Sequence, residues 1–129
     1  MDTRNKIMAW SGARALLDAA AAPLVTGHFD PLTSAHARRL TDLAKTHGPL
    51  FVLITDPPGA ILPAGARAEL VASLACVRCI VLPPPDGIDA ILASLGTARL
   101  LREEAADLER RDAITRHVHG RHAQAAPTF

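Results

Sequence analysis

The residues best suited to chemistry lie in one short segment, residues 26–36, between an apolar run and a run of helical periodicity. Gly27 allows a ligand to approach the backbone closely, because it has no side chain. Thr33 or Ser34 can cap the helix that follows, and the free N–H groups and positive dipole end of a helix start attract anions such as phosphate. His36 lies in the first helical turn, where a side chain points back toward the helix start and can donate a hydrogen bond to a phosphoryl oxygen. The segment therefore predicts a phosphate-binding site.

The surrounding sequence predicts the elements that position this segment. Apolar runs typical of buried strands alternate with runs of helical spacing. We predict strands at residues 23–27, 50–55, 80–82 and 98–101, and helices at residues 11–22, 34–47, 66–76, 88–95 and 103–118. This alternation is typical of βαβ units, and it predicts an α/β fold: a Rossmann-like three-layer sandwich with a parallel sheet of four or five strands.

The same pattern predicts one domain over residues 1–129, with residues 1–22 as an N-terminal helical extension and residues 119–129 as a polar tail. In parallel sheets of this kind, ligands bind at the carboxyl ends of the strands, near the first strand-to-helix turn. Residues 26–36 form that turn, so the fold and the local chemistry predict the same place for a site.

The overall composition excludes several classes of function. The chain has 129 residues and a formal net charge of +1, which argues against a protein that grips a nucleic-acid backbone. One Trp, three Phe and no Tyr are too few for a base-stacking surface. No apolar run approaches the roughly 20 residues that span a bilayer. We therefore expect a cytoplasmic protein that acts on a small molecule and binds neither nucleic acid nor membrane.

The segment Gly27-His28-Phe29-Asp30-Pro31-Leu32-Thr33-Ser34-Ala35-His36 resembles a known signature. It is similar to the G-x-F-D-P-x-[H/T]-x-G-H motif of the HIGH-type nucleotidylyltransferase superfamily. A second similarity lies in residues 66–81, where an arginine-bearing helix leads into a strand, and the whole resemblance covers roughly residues 24–107. Threonine at position 33 is typical of the phosphopantetheine adenylyltransferases. The sugar-phosphate branch, which includes heptose-1-phosphate adenylyltransferase, usually has histidine there.

The resemblance implies a reaction in which a phosphorylated small molecule attacks the α-phosphorus of a nucleoside triphosphate and pyrophosphate leaves. It implies Mg²⁺ bound with the nucleotide, and it favours ATP over CTP because of Thr33. The implied roles are catalytic for Thr33 and His36, nucleotide-binding for Gly27, His28, Phe29, Asp30 and Arg102, and substrate-binding for Thr26 and Arg67. For Asp30 the alternative is a residue that shapes the turn, and for Arg67 a helix cap or a surface ion pair.

Several positions depart from the family pattern. Ala35 replaces the motif glycine, His28 replaces a small residue, and the loop at residues 56–65 contains no lysine. Glu103 stands where the family has a glycine, and Glu104 follows it. Each carboxylate would repel a nearby triphosphate by about 1 kcal/mol or more. The sequence also has no I-S-S-T/S-x-[LIK]-[RK] segment, which in relatives grips the β- and γ-phosphates.

These departures support a second hypothesis beside nucleotidyl transfer. The chain would be a catalytically impaired nucleotide- or phosphate-binding module derived from the same family, acting in a homo-oligomer or beside a partner. A third hypothesis, a purely structural dimerisation domain, is supported only by the apolar composition. Thr33 and His36 favour the enzyme, and the missing phosphate-binding segment favours the binding module.

Two cysteines form a C-x-x-C sequence, Cys76-Val-Arg-Cys79. A redox-active pair places its first thiol at a helix start, where the dipole stabilises the thiolate. Here the first cysteine follows a predicted helix, at the opposite end. We predict that both cysteines are small core residues.

A histidine-rich run lies near the end of the chain, with His117, His119 and His122 beside Arg116 and Arg121. Imidazoles at this density can bind zinc or nickel. No carboxylate or cysteine lies among them, so a polar tail without a metal is the favoured interpretation. The two arginines are better suited to a peripheral contact with an anion.

Overall fold

The computed structural model describes residues 2–125, and within its last helix it leaves out the side chains at positions 114, 115 and 117–125. The strands are β1 (Leu24–Gly27), β2 (Leu50–Ile54), β3 (Val77–Val81) and β4 (Leu100–Arg102). The helices are α1 (Trp10–Ala20), α2 (Ser34–His47), α3 (Ala64–Ala72), α4 (Asp89–Leu95) and α5 (Glu104–Ala125). Two short 3-10 turns lie at Thr3–Lys6 and Thr97–Arg99.

The four strands form one parallel sheet in the order β3-β2-β1-β4. In the register of the sheet, Val25 of β1 lies between Val52 of β2 and Leu101 of β4. The predicted α/β three-layer fold with a parallel sheet is therefore confirmed, at the lower of the two strand numbers expected. No helix among the described residues is long and apolar enough to cross a membrane.

Helices cover both faces of the sheet, which explains why β1 and β2 are apolar without alternation. On one face, Leu40 of α2 and Val71 of α3 pack against Val25 and Val52. On the other face, Leu17 of α1 and Ile91 of α4 pack against strand residues that include Phe51. Each strand thus contributes alternate side chains to two separate hydrophobic layers, and the sheet is held rigidly between them.

Some element boundaries differ from the sequence prediction. The predicted helix at 66–76 begins earlier and ends at Ala72, because the N–H groups of Ser73 and Leu74 turn back to carbonyls three residues before them. The predicted fourth strand starts at Leu100, since the preceding residues form a 3-10 turn. Helix α5 continues to Ala125, well beyond the predicted end at residue 118, so the predicted tail is helical as far as that residue.

The chain order places the ends of β1 and β4 side by side, although β2 and β3 lie between them in sequence. The first three strands progress across the sheet in one direction, and β4 returns to the other side of β1. This reversal is the kind of position where open parallel sheets bind their ligands. The N–H of Glu103 donates to the carbonyl of Thr26 at 2.8 Å, so the start of α5 is fixed beside the end of β1.

Candidate anion site and groove at the carboxyl edge of the sheet

Helix α2 begins with a capping box formed by Thr33 and His36. The N–H of Thr33 donates to Nδ1 of His36 at 3.0 Å, and the N–H of His36 makes a longer hydrogen bond of 3.4 Å to Oγ1 of Thr33. The predicted cap is confirmed, and the histidine is only 3% exposed. Because Nδ1 accepts a hydrogen bond, the neutral ring carries its proton on Nε2.

The Nε2 atom of His36 faces the carboxylate of Asp107 on α5. Oδ1 of that carboxylate lies 2.8 Å away, and both side chains are almost completely buried. The contact has the distance of an ion pair but not the alignment of a hydrogen bond, so Nε2 is a buried donor without a well-directed partner among the described residues. A misaligned buried donor of this kind is an uncommon feature in a folded protein.

Asp107 also accepts a hydrogen bond from a backbone N–H of the predicted motif. The N–H of His28 donates to Oδ2 at 2.8 Å, and Nη1 of Arg110 donates to Oδ1 at 3.2 Å. The backbone at His28 and the ring of His36 are the groups that the motif resemblance assigns to phosphate and to catalysis. In this structure they converge on one negatively charged group, and that group belongs to the protein.

Two side chains of the protein fill the space above Gly27. A Cβ atom added at this glycine would lie 2.7 Å from the ring of Phe29 and 2.8 Å from Oδ2 of Asp107. The Phe29 ring is buried and meets the ring of His36 edge-on, with 5.6 Å between centroids. A cavity of about 10 Å³ remains beside Asp107 and His28, which is room for about one water molecule. The close backbone approach predicted for a ligand is made by two side chains of the chain itself.

Arg67 is also buried, and each of its three side-chain nitrogens donates a hydrogen bond to another group of the protein. Its Nη1 donates to the carbonyls of His28 and Thr55 at 3.0 and 2.9 Å. Its Nε donates to the carbonyl of Leu62, and its Nη2 forms an ion pair with Asp56 at 2.6 Å. The side chain therefore holds the loops after β1 and β2 together. It does not line the groove described below and is not a helix cap, and its ion pair joins a buried guanidinium to the exposed carboxylate of Asp56.

Asp30 fixes a neighbouring loop. Its carboxylate accepts hydrogen bonds from the N–H groups of Ile61 and Leu62 at 2.6 and 2.8 Å, and it is buried. These bonds tie the segment before α3 to the turn after β1. The position agrees with the interpretation of Asp30 as a residue that shapes the turn.

Beside the buried turn lies an open groove of about 480 Å³, within the size range of small-molecule sites. Residues that follow or end all four strands contribute to its lining: His28, Thr55, Asp56, Pro83, Pro84, Pro85, Gly87, Ile88, Arg102 and Glu104. Arg102, predicted to bind the nucleotide, lies in this groove with about half of its side chain exposed. The groove therefore occupies the point where the strand order reverses.

Glu104 is a polar residue in the lining of the groove. From the sequence we predicted only that its carboxylate would repel a triphosphate. Its carboxylate accepts hydrogen bonds from the hydroxyls of Thr26 at 2.8 Å and Thr55 at 3.3 Å, and it pairs with Arg102 at 2.8 Å. Burial raises the pKa of Glu104, but the hydrogen bonds from Arg102 and Thr26 outweigh burial and hold this pKa below its ordinary value. Thr26, predicted to bind substrate, thus donates its hydroxyl to a carboxylate of the protein.

His28 completes the wall between the groove and the buried turn. Its Nδ1 lies 3.1 Å from the carbonyl oxygen of Thr55. Nδ1 also lies 3.1 Å from Oγ1 of Thr55, so both polar groups of that residue contact the ring.

The two cysteines noted in the sequence are free and lie in or beside the core. Cys79 is fully buried, and burial raises the pKa of its thiol to about 11, so the thiol is protonated at neutral pH. Cys76 is half-buried, and both cysteines are free.

The backbone of His117, His119 and His122 belongs to α5, but their side chains lie outside the described residues. Among the described residues, no group of three or more His, Cys, Asp or Glu side chains could hold a metal ion.

We expect Glu104→Gln to lower the free energy of unfolding by about 1 kcal/mol at pH 7, since hydrogen bonds to a charged acceptor are lost. The pKa of Glu104 is lower in the folded chain than its ordinary value of 4.5. Its stabilising contribution is therefore complete above pH 4.5 and is lost as the pH falls through the folded-state pKa. Urea unfolding from pH 3 to 7 measures this. The difference between wild type and variant should shrink in acid, whereas Glu109→Gln, on the exposed side of α5, should show almost no difference at any pH. A difference for Glu104→Gln that stays constant down to pH 3 would contradict the assignment.

No protein-family model matches this chain, and no curated protein is significantly similar to it. The relationship to the nucleotidylyltransferase superfamily stays a prediction from the motif residues.

Proposed function

We propose that this chain is a nucleotide- or phosphate-binding module of the nucleotidylyltransferase type in which nucleotidyl transfer is impaired. One observation supports both parts of the proposal. The donors of the motif, Nε2 of His36 and the N–H of His28, converge on an anionic group, and that group is the carboxylate of Asp107. The donors of the turn are therefore arranged to bind an anion. However, Nε2 of His36, the donor that would assist transfer, already lies beside the carboxylate of Asp107.

The groove is the part of the proposed site that is open to a ligand. Its volume of about 480 Å³ suits the base and sugar of a nucleotide. Pro84 and Ile88 provide an apolar wall for a base, and Arg102, which pairs with Glu104, provides a half-exposed guanidinium at the end of β4. ATP is favoured over CTP because of the resemblance at Thr33, and a phosphorylated small molecule is the second proposed ligand.

Transfer requires a donor that stabilises the negative charge developing on the α-phosphate in the transition state. With Asp107 at 2.8 Å from Nε2 of His36, a phosphoryl oxygen has no room beside that donor. The carboxylate also repels the triphosphate, by about 1 kcal/mol at 4 Å in water and by more where water is excluded. In this proposal the Mg²⁺ enters with the phosphates of the nucleotide.

Calorimetric titration with ATP and CTP in the presence of Mg²⁺ tests the binding, and a pyrophosphate-release assay with a panel of phosphorylated acceptors tests the transfer. We expect ATP to bind at millimolar concentration or below, to raise the melting temperature, and to release no pyrophosphate above the buffer rate. Neither nucleotide binding at millimolar concentration would contradict the proposal.

Nucleotidyl transfer itself is the second candidate function. It is favoured by the burial and fixed tautomer of His36, because a preorganised Nε2–H is the donor such a reaction uses. If the chain is a transferase, pyrophosphate is released and His36→Ala, which removes this donor, lowers the rate by about 10²- to 10³-fold. A cytoplasmic location and assembly into a homo-oligomer also remain proposals.

A further inference from the structure

We infer that Asp107 is an intramolecular substitute for a phosphate group: its carboxylate occupies an anion site on the turn after β1, and a phosphate group takes its place when the carboxylate is removed. The inference rests on the proposed function, in that it treats this turn as a phosphate site. It adds that the site is closed by the chain itself and can be opened.

The groups around Asp107 are those that bind phosphate in proteins. A backbone N–H from His28, a ring N–H from His36 and a guanidinium from Arg110 all lie within 3.2 Å of its two oxygens. These donors come from the turn before α2, from the first turn of α2, and from α5. The start of α2 adds the positive end of its dipole. Three donors of this kind can bind any small oxyanion. A carboxylate, however, has only two oxygens with which to accept their hydrogen bonds.

The misaligned contact of His36 is an independent indication of a poor fit. Its Nε2 is buried and makes no hydrogen bond to any described residue, although an oxygen of Asp107 lies 2.8 Å away. A carboxylate that already accepts from His28 on one oxygen and from Arg110 on the other cannot turn to align with His36 as well. A tetrahedral phosphate has additional oxygens, so it can accept from all three groups in separate directions.

Asp107 is held in place by the whole first turn of α5. Glu103 forms an ion pair with Arg39 of α2 at 2.6 Å, and Glu104 accepts hydrogen bonds from Thr26 and pairs with Arg102. Glu103, just before α5, and Glu104 and Asp107 in its first turn thus attach the start of this helix to α2 and to the carboxyl edge of the sheet. The small remaining cavity of about 10 Å³ shows that Asp107 and an incoming phosphate cannot share the site.

The test compares the binding of inorganic phosphate and of ATP to four proteins: wild type, Asp107→Ala, Asp107→Asn and the double variant Asp107→Ala/His36→Ala. Asp107→Ala removes the charge and opens space, and Asp107→Asn removes the charge but keeps the shape. If the carboxylate leaves the site free about a tenth of the time, its removal tightens apparent phosphate binding about tenfold. We expect that gain in Asp107→Ala, a smaller gain in Asp107→Asn, and loss of the gain in the double variant.

Circular dichroism and thermal unfolding show which variants are folded. If Asp107→Ala does not fold, Asp107→Asn is decisive by itself: tighter phosphate binding than wild type supports the inference, and unchanged binding overturns it. In folded Asp107→Ala, phosphate affinity equal to that of wild type overturns the inference, as does a gain that persists when His36 is replaced by Ala.

The ATP measurements separate this inference from the proposed function. Wild type that binds ATP, with no gain for phosphate in either Asp107 variant, leaves the proposed function intact and overturns the inference. Conversely, phosphate bound only after replacement of Asp107, with no preference for ATP over phosphate in any of the four proteins, supports the anion site and argues against a nucleotide ligand.

Discussion

Replacing Arg67 by methionine is expected to lower the free energy of unfolding by about 3 kcal/mol, the largest effect of any single substitution considered. The buried guanidinium donates to three backbone carbonyls and pairs with Asp56. Methionine fills part of the volume but donates no hydrogen bond, and each buried acceptor left without a donor costs about 1–3 kcal/mol. The carbonyl of Thr55 retains its contact with His28, which limits the loss.

Urea unfolding monitored by circular dichroism measures this effect, with Arg14→Met as the matched control. Arg14 makes an ion pair with Asp18 on the surface of α1, and such pairs contribute about 0–1 kcal/mol. We also expect Arg67→Lys to be strongly destabilising, because one ammonium group cannot replace the planar fork that reaches two loops. A loss for Arg67→Met no larger than that for Arg14→Met would contradict a structural role for the buried guanidinium.

Gly27→Ala is expected to destabilise the chain by about 1–3 kcal/mol through overpacking. The new methyl group would lie 2.7 Å from the Phe29 ring and 2.8 Å from Oδ2 of Asp107, which are closer than normal contacts. Both neighbours are buried, so neither can move aside without disturbing the core or the hydrogen bond from His28.

Gly65→Ala provides the control for this prediction. Gly65 lies in α3, nothing lies within 4 Å of the position of its missing Cβ, and alanine favours a helix over glycine by about 1 kcal/mol. We therefore expect Gly65→Ala to be neutral or stabilising in the same urea experiment. Equal effects of the two substitutions would mean that the packing above Gly27 is looser than described.

Local features of the site could be predicted from the sequence because they depend on neighbouring residues. The cap formed by Thr33 and the position of His36 within the first turn of α2 follow from a spacing of three residues. The parallel sheet follows from uninterrupted apolar strands between helical runs. The early end of α3 at Ala72 was missed, since residues 73–76 have no proline or glycine to mark the stop.

The partners of the site residues could not be predicted, because they come from distant parts of the chain. Asp107 reaches His28 and His36 only because β4 returns beside β1 and α5 starts above that edge. One signal was present in the sequence: Glu103, Glu104 and Asp107 share the first turn after a predicted strand, and such a turn must face the carboxyl edge of a parallel sheet. The burial of Arg67 had no comparable signal, since most of its partners are backbone carbonyls, which no pattern of side chains reveals.

The most direct test of the nucleotide-binding claim is a titration of the ¹⁵N-labelled wild-type protein with ATP and Mg²⁺, monitored by amide chemical shifts. We expect the largest saturable shifts at the edge of the groove, at the amides of His28, Thr55 and Arg102. Saturable shifts confined to another surface would contradict this expectation, for example to the depression between α1 and α4 that Trp10 and Ser94 line.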